Sequence, residues 1–436
     1  MEWWLVLLIL FGGLIVLLAS GLPVAFCFLL INLIGVAWFW GGEAGLRQLI
    51  LSIDMSVTTF VLLPVPLFVL MGELLFHSGM GLRAVDVLDK WMGRLPGRLA
   101  VLAIGSGTLF STMSGSSMAT TAMLGTILVP EMEKRGYKKS MSIGPVMGGG
   151  GLAMIIPPSA LGVLLASLAR ISVGKLLISG IIPGLVLACI YAAYVIIRCW
   201  LQPSIAPSYE VTPTPLAKKV VLTVCYVLPL GLLIFLVIGV MFIGLATPSE
   251  AAALGGLGSI FLAAVYGGLS WEILRKSILS TMRITIMMFT ILTGATAFSQ
   301  ILAFSGASQG LLEAITSFHI APIALVIMMQ VIVLILGCFM EQASMLMITL
   351  PIYMPIVNFL GFDPVWFGIL LLINMEVGMT TPPFGLSLFV MKGVAPPDTT
   401  MADIYRAVFP FILFHLLAMA LIMVFPILAL WLPSKM

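Results

Sequence analysis

Apolar runs long enough to cross a bilayer recur along the chain, at 3–19, 22–40, 57–76, 177–197, 220–243, 251–268, 284–304 and 407–432. A helix needs about 20 predominantly apolar residues to span the hydrocarbon layer. Charged residues make up only 8% of the 436, against about 25% in a soluble domain. No water-facing shell can be assembled from so few charges. The bilayer must be the solvent for most of the molecule, and the expected fold class is an all-α integral membrane protein. The run 3–19 lacks both the basic start and the A-x-A-like exit of a signal peptide, so it counts as a first span.

The few basic residues are clustered. Arg83, Lys90, Arg94 and Arg98 form one group, and Lys134, Arg135, Lys138 and Lys139 a second. Arg198, Lys218 and Lys219 frame the Pro-rich loop 203–215; Arg275, Lys276 and Arg283, then Lys392 and Arg406, complete a set of sixteen out of twenty. Placing this excess in the cytoplasm, behind three spans, puts the N-terminus in the periplasm. Segments 80–98 and 131–141 then share a face, so 98–130 must enter and leave on the same side as a re-entrant hairpin. Segments 305–320 and 358–365 carry no Lys or Arg. They read as external, which makes 321–357 a second hairpin entering from the opposite face.

A Pro-Pro pair follows each hairpin. Laying Pro157-Pro158 on Pro382-Pro383 fixes an offset of 225, which also lays Pro130 on Pro355 and residues 114–117 on 339–342. With hairpins of opposite sense, this reads as an inverted repeat, the plan of many secondary transporters. The expected organisation is scaffold spans 1–56; a first repeat 57–200 with its hairpin near 98–130 and a broken span near 142–167; and a cytoplasmic loop 201–219. Scaffold spans 220–283 follow, then a second repeat 284–408 with its hairpin near 321–357 and a broken span near 366–392, and a last span 409–436.

A hairpin tip inside the membrane leaves peptide groups without helical partners, which persist only where protein, water or ions satisfy them. Ser114-Gly115-Ser116-Ser117 suits such a tip, since Gly permits unusual dihedrals and Ser caps a new helix. Glu341-Gln342-Ala343-Ser344 is its counterpart. Gly148–Gly151 with Pro157-Pro158-Ser159, and Gly378-Met379-Thr380-Thr381 with Pro382-Pro383, break the two partner spans. Free carbonyls there, with Ser and Thr hydroxyls, are hard oxygen ligands for a small cation. Half-helices restarting after Ser117, Pro158, Ser344 and Pro383 would point positive ends at an anion. The candidate anion residues are therefore Ser116, Ser117, Pro158, Ser159, Ser344, Thr381 and Pro383. Four acids, Glu73, Glu250, Glu341 and Glu376, lie in or beside apolar spans, where acids default to function. Glu250 follows Ala246-Thr247-Pro248-Ser249 and reads as a helix cap. Glu376, two residues before a break, is placed to order it. Segment 80–96 is amphipathic and expected to lie along the interface, with 306–319 as its counterpart.

Other chemistries find no residues. The five cysteines are scattered and read as packing residues. His77, His319 and His415 are equally dispersed, and no H-E-x-x-H, Walker loop or G-x-S-x-G occurs. Neither nucleotide nor nucleic acid is expected as a ligand.

FVLLPVPLFVLMGELLFHSG (60–79), SGSSMATTAMLGTILVPEMEKRGY (114–137), ATPSEAAA (246–253) and GMTTPPFGLSLFVMKGVA (378–395) resemble the large membrane subunit of TRAP transporters, the DctM-like family. The resemblance implies a sodium-driven, elevator-type importer. It would work with a small four-helix membrane subunit and a periplasmic binding protein that delivers an organic acid, such as sialic acid, a dicarboxylate or a sulfonate. It also implies two Na+ sites: Ser114, Gly115 and Ser116 with Gly149, Gly150 and Gly151, and Glu341, Gln342, Ala343 and Met345 with Gly378, Met379, Thr380 and Thr381. The small subunit is expected not to be fused but to be a separate chain, in a bacterial inner membrane. Two rival readings are a stand-alone sodium/anion transporter of the related superfamily and an intramembrane enzyme using Glu341 or Glu376.

Overall fold

The computed structural model describes residues 2–93, 95–207, 214–317 and 320–436, with Met113, Ser114, Ile315 and Thr316 described by backbone alone. Arg94, His319, the side chain of Ser114 and residues 208–213 of the Pro-rich loop thus lie outside the described residues. Every regular element among the described residues is helical. Among the described residues, seven helices are long and apolar enough to cross a membrane: Phe60–His77, Val173–Leu201, Leu216–Phe242, Pro248–Val265, Trp271–Phe304, Gln342–Phe359 and Met401–Val424. Shorter apolar helices include Trp3–Ala19 and Val24–Phe39, the first two predicted spans.

Local chemistry accounts for where these helices begin. Pro248–Val265 opens on a capping box, with Thr247 N–H donating to Glu250 at 2.7 Å and Glu250 N–H returning to the Thr247 hydroxyl at 3.3 Å. This bears out the capping role expected of Glu250. Met401–Val424 opens the same way on Thr400 and Asp403. Helix Glu43–Val57 was not expected; it packs against Val24–Phe39 and Trp271–Phe304. Glu43, Arg47 and Asp54 share one face of it and so interrupt the apolar run in the sequence.

Both hairpins are present as helix pairs. The first joins Arg98–Ser114 to Ser117–Lys134 through Gly115, at φ +58°. The second joins Pro322–Gly337 to Gln342–Phe359. The broken partners are Gly144–Gly151, which tightens at Leu152–Met154 and resumes as Ala160–Ala169, and Pro364–Thr380, which resumes as Leu386–Val394. The offset of 225 carries Ser117–Lys134 onto Gln342–Phe359 residue for residue, and brings 80–92 onto 307–317, 160–169 onto 386–394 and 181–201 onto 401–424 within a few residues. The repeat therefore extends well beyond the Pro pairs that revealed it. Helix Trp271–Phe304 runs unbroken through residues 283 and 284, and Met401–Val424 through 408 and 409, where repeat boundaries were expected.

Each hairpin is pressed onto its broken partner through glycine. A Cβ at Gly107 would lie 2.7 Å from Gly149 Cα, and one at Gly337 would lie 2.6 Å from Gly378 Cα. At both seams backbone meets backbone, as small residues allow in membrane helices. Asn374 ties the second seam further, donating to the Gln330 carbonyl at 2.6 Å and side-chain oxygen at 2.8 Å.

Candidate ion and substrate site

The helix starts fall close to their expected places. Ser116 caps Ser117–Lys134 by accepting from Ala119 N–H at 3.3 Å, and Ser159 caps Ala160–Ala169 by accepting from Gly162 N–H at 3.1 Å. The restart expected after Pro158 thus begins at Ala160, and the one after Pro383 begins at Leu386, behind Gly385. Ser344 does not precede its helix: the start is Gln342 with Glu341 at the cap position, and Ser344 donates back to the Glu341 carboxylate at 3.4 Å. The glycines Gly149, Gly150 and Gly151 are helical, and the backbone opens only from Ile155 to Ser159. Likewise Gly378, Met379 and Thr380 end a helix, and the second break runs from Thr381 to Gly385. Steric crowding rather than a turn explains the four-glycine run. Its members face Phe411, Ile104, Thr121 and Glu376 at distances that a methyl group would violate.

Tip and break meet within each unit. A Cβ at Gly115 would be 3.5 Å from Pro158 O and from Ala160 N, and the Cys338 thiol lies 3.8 Å from Pro382 O. Both Pro-Pro peptides are cis. The two breaks differ in cover: Ile155–Ser159 is wholly buried, whereas Pro382, Pro383 and Phe384 are exposed and Thr381 is half-buried.

The two units are joined at one carboxylate. Ser117 Oγ donates to Glu376 Oε1 at 2.8 Å, linking the first tip to the helix that carries the second break. Glu376 is fully buried, and its Oε2 has no hydrogen-bond partner. A Cβ at Gly151 would sit 2.9 Å from Glu376 Oε1, and one at Gly150 would sit 2.3 Å from Thr121 Oγ1, a buried hydroxyl also without a partner. Gln342 Nε2 is a further buried atom left unpaired at the second tip. Such atoms cost free energy when buried dry, and the oxygens among them fit a small hard cation. Thr380 Oγ1 donates to Glu376 O at 2.9 Å and Thr381 Oγ1 to Val377 O at 2.6 Å, so each hydroxyl oxygen keeps its lone pairs for a ligand. No group of three or more His, Cys, Asp or Glu gathers among the described residues. A cation would therefore be held mainly by neutral oxygens, the donor set suited to alkali and alkaline-earth ions.

Other expected residues lie among close-packed neighbours. Met345 is buried with its sulfur 3.2 Å from the position a Cβ on Gly337 would take, and Ala343 and Met379 are fully buried. Glu73 pairs with His77 at 3.2 Å, one helical turn away. The sequence search passed over Thr121, Asn374 and Gln330. Polar residues at buried positions of apolar helices were the available signal, as they were for Glu376.

Comparison with known proteins places this geometry in context. The model of the DctM component of the tripartite ATP-independent periplasmic transporters matches residues 11–428. The C4-dicarboxylate TRAP transporter large permease protein DctM of Pseudomonas aeruginosa is 32% identical over 89% of this chain and 90% of its own length. The isethionate TRAP transporter permease protein DctMQ of Oleidesulfovibrio alaskensis is 32% identical over 82% of this chain and 55% of its own. Among solved structures, the YdaH transporter of Alcanivorax borkumensis superposes with a TM-score of 0.60 at 15% identity, covering 89% of each chain, which shows a shared fold. These relatives are permeases, not enzymes. The chain is a multi-pass membrane transport protein and belongs to the DctM component family of tripartite ATP-independent periplasmic transporters.

Proposed function

We propose that this protein imports an organic acid anion, a carboxylate or sulfonate, by symport with sodium. The substrate is delivered by a periplasmic binding protein, and a separate small membrane subunit completes the complex in the bacterial inner membrane. The hairpins enter from opposite faces, and the body that carries them moves past the remaining helices as an elevator. The observation that carries this reading is that each tip meets its own break, and that Ser117 of the first tip bonds the buried Glu376 on the helix leading to the second break, near the orphaned oxygens of Glu376 and Thr121. Sodium, as cargo, would be held by the tip and break oxygens of each unit. The carboxylate or sulfonate would be met by helix starts at Ser116, Ser159 and Gly385. Unequal cover over the two breaks is what an alternating site requires of any one state, since only one route to it can be open at a time.

The test is uptake by proteoliposomes holding this chain, its small subunit and the binding protein. Accumulation should require an inward sodium gradient and should vanish without the binding protein. Uptake that ignores sodium would overturn ion coupling. Uptake that persists without the binding protein would favour a stand-alone transporter. Ser116→Ala and Thr381→Ala should each raise the sodium concentration needed for half-maximal uptake while leaving the amount of protein in the membrane unchanged.

A further inference from the structure

We infer that Glu376 couples the two cation sites, so that filling one raises the affinity of the other; this rests on the sodium reading proposed above. Three features of the geometry point to it. The Glu376 side chain belongs to the first site: Oε1 accepts from Ser117 at the first tip, and the carboxyl lies against Gly151. Its main chain belongs to the second, for Glu376 O accepts from Thr380 at the end of the helix whose break forms that site. Four residues separate Glu376 from Thr381, where the backbone opens. One residue thus touches both sites through two different groups.

The carboxyl is also incompletely satisfied. It is fully buried, Oε1 accepts from the neutral Ser117 hydroxyl, and Oε2 has no partner among the described residues. No ion pair reaches Glu376 among the described residues. The Tyr191 phenol and the His415 ring, on helices Ile181–Leu201 and Met401–Val424, are bonded to each other at 3.1 Å. A cation entering beside Ser117 and Gly151 would meet a carboxyl oxygen that no other group among the described residues holds. Fixing that carboxyl fixes the last turn of Pro364–Thr380, and with it the carbonyls and hydroxyls presented at Thr380 and Thr381. The reverse holds by linkage: a cation ordering the second break positions Glu376 for the first.

The measurement is a sodium titration of the purified protein, read both as thermal stabilisation and as initial uptake rate. Wild type should respond steeply, with a Hill coefficient approaching the number of coupled sites, about 2. Glu376→Gln keeps an acceptor for Ser117 but removes the charge, and should flatten the response towards about 1 and raise the midpoint several-fold. Ser117→Ala, a smaller change that spares the carboxyl, should flatten it as well and serves if Glu376→Gln fails to fold. A steep wild-type response that both variants retain overturns the inference and leaves sodium coupling standing. A wild type that responds to sodium with a Hill coefficient of about 1 overturns the inference alone; a wild type that does not respond to sodium in either readout overturns the sodium reading, and this inference with it.

Discussion

Gly151 owes its identity to Glu376. A methyl group there would lie 2.9 Å from both Cγ and Oε1 of a side chain that is buried on all sides. Gly151→Ala should therefore destabilise the protein by about 1–3 kcal/mol through overpacking, measured as a fall in melting temperature in detergent. The shorter Glu376→Asp should recover part of that loss, because neighbouring sites are not additive. Tyr191 and His415 give a second case. The His415 Nδ1–H donates to Phe411 O at 3.0 Å, which leaves Nε2 to accept from the Tyr191 hydroxyl at 3.1 Å. Tyr191→Phe strands that nitrogen in the core, and should cost about 1–3 kcal/mol; an unchanged melting temperature would refute the pairing. Neither relation was legible in the sequence. A lone histidine and a glycine run are compatible with many environments, and their partners lie 224 and 225 positions away.

Elements were easier to read than side chains, for a physical reason. Hydropathy and proline act locally, so runs such as 220–243 and the breaks at Pro157-Pro158 and Pro382-Pro383 declare themselves. Helix Glu43–Val57 did not, because its charges sit on one face and erase the run without breaking the helix. The breaks were legible but displaced: glycines were taken to open the backbone, whereas in the fold they let helices touch. Between elements, Lys139 reaches from the segment after the first hairpin to Asp398 after the second break, at 2.8 Å. The Lys139 ammonium holds the Asp398 carboxyl below its usual range, and Asp398 in turn raises Lys139. A depressed carboxylate stabilises the fold above its unfolded value and loses that effect as pH falls through the folded one. A raised lysine contributes below about pH 10.4 and loses its effect above it. The pair should thus act across neutral pH and fail in acid. Asp398→Asn should lower the melting temperature slightly at pH 7 and not at pH 3, and high salt should shrink the difference because the pair is exposed.

At the scale of the whole molecule, charge asymmetry supplied an orientation that the helices by themselves do not. The basic clusters lead to the expectation of a periplasmic N-terminus: a reporter active only in the periplasm should be active when fused there and silent when fused after Lys139. The opposite pattern would reverse every face assigned above. Packing adds what charge cannot. Where the second hairpin meets its broken partner, Gly337 and Gly378 bring two backbones together. On its other flank, Leu336, Ile348 and Tyr353 line an apolar cavity of about 640 Å³ shared with Phe11 and Leu14 of the first span. Gly378→Ala should accordingly be among the most damaging single-methyl additions, at about 1–3 kcal/mol, whereas Ile15→Val, on the roomy flank, should cost well under that. A joint made of bare main chain has no rotamers through which to yield, while one lined by alkyl tails and empty volume has many. Any large excursion of this protein must therefore shear along the loose flank, with hairpin and broken helix riding together as a single piece.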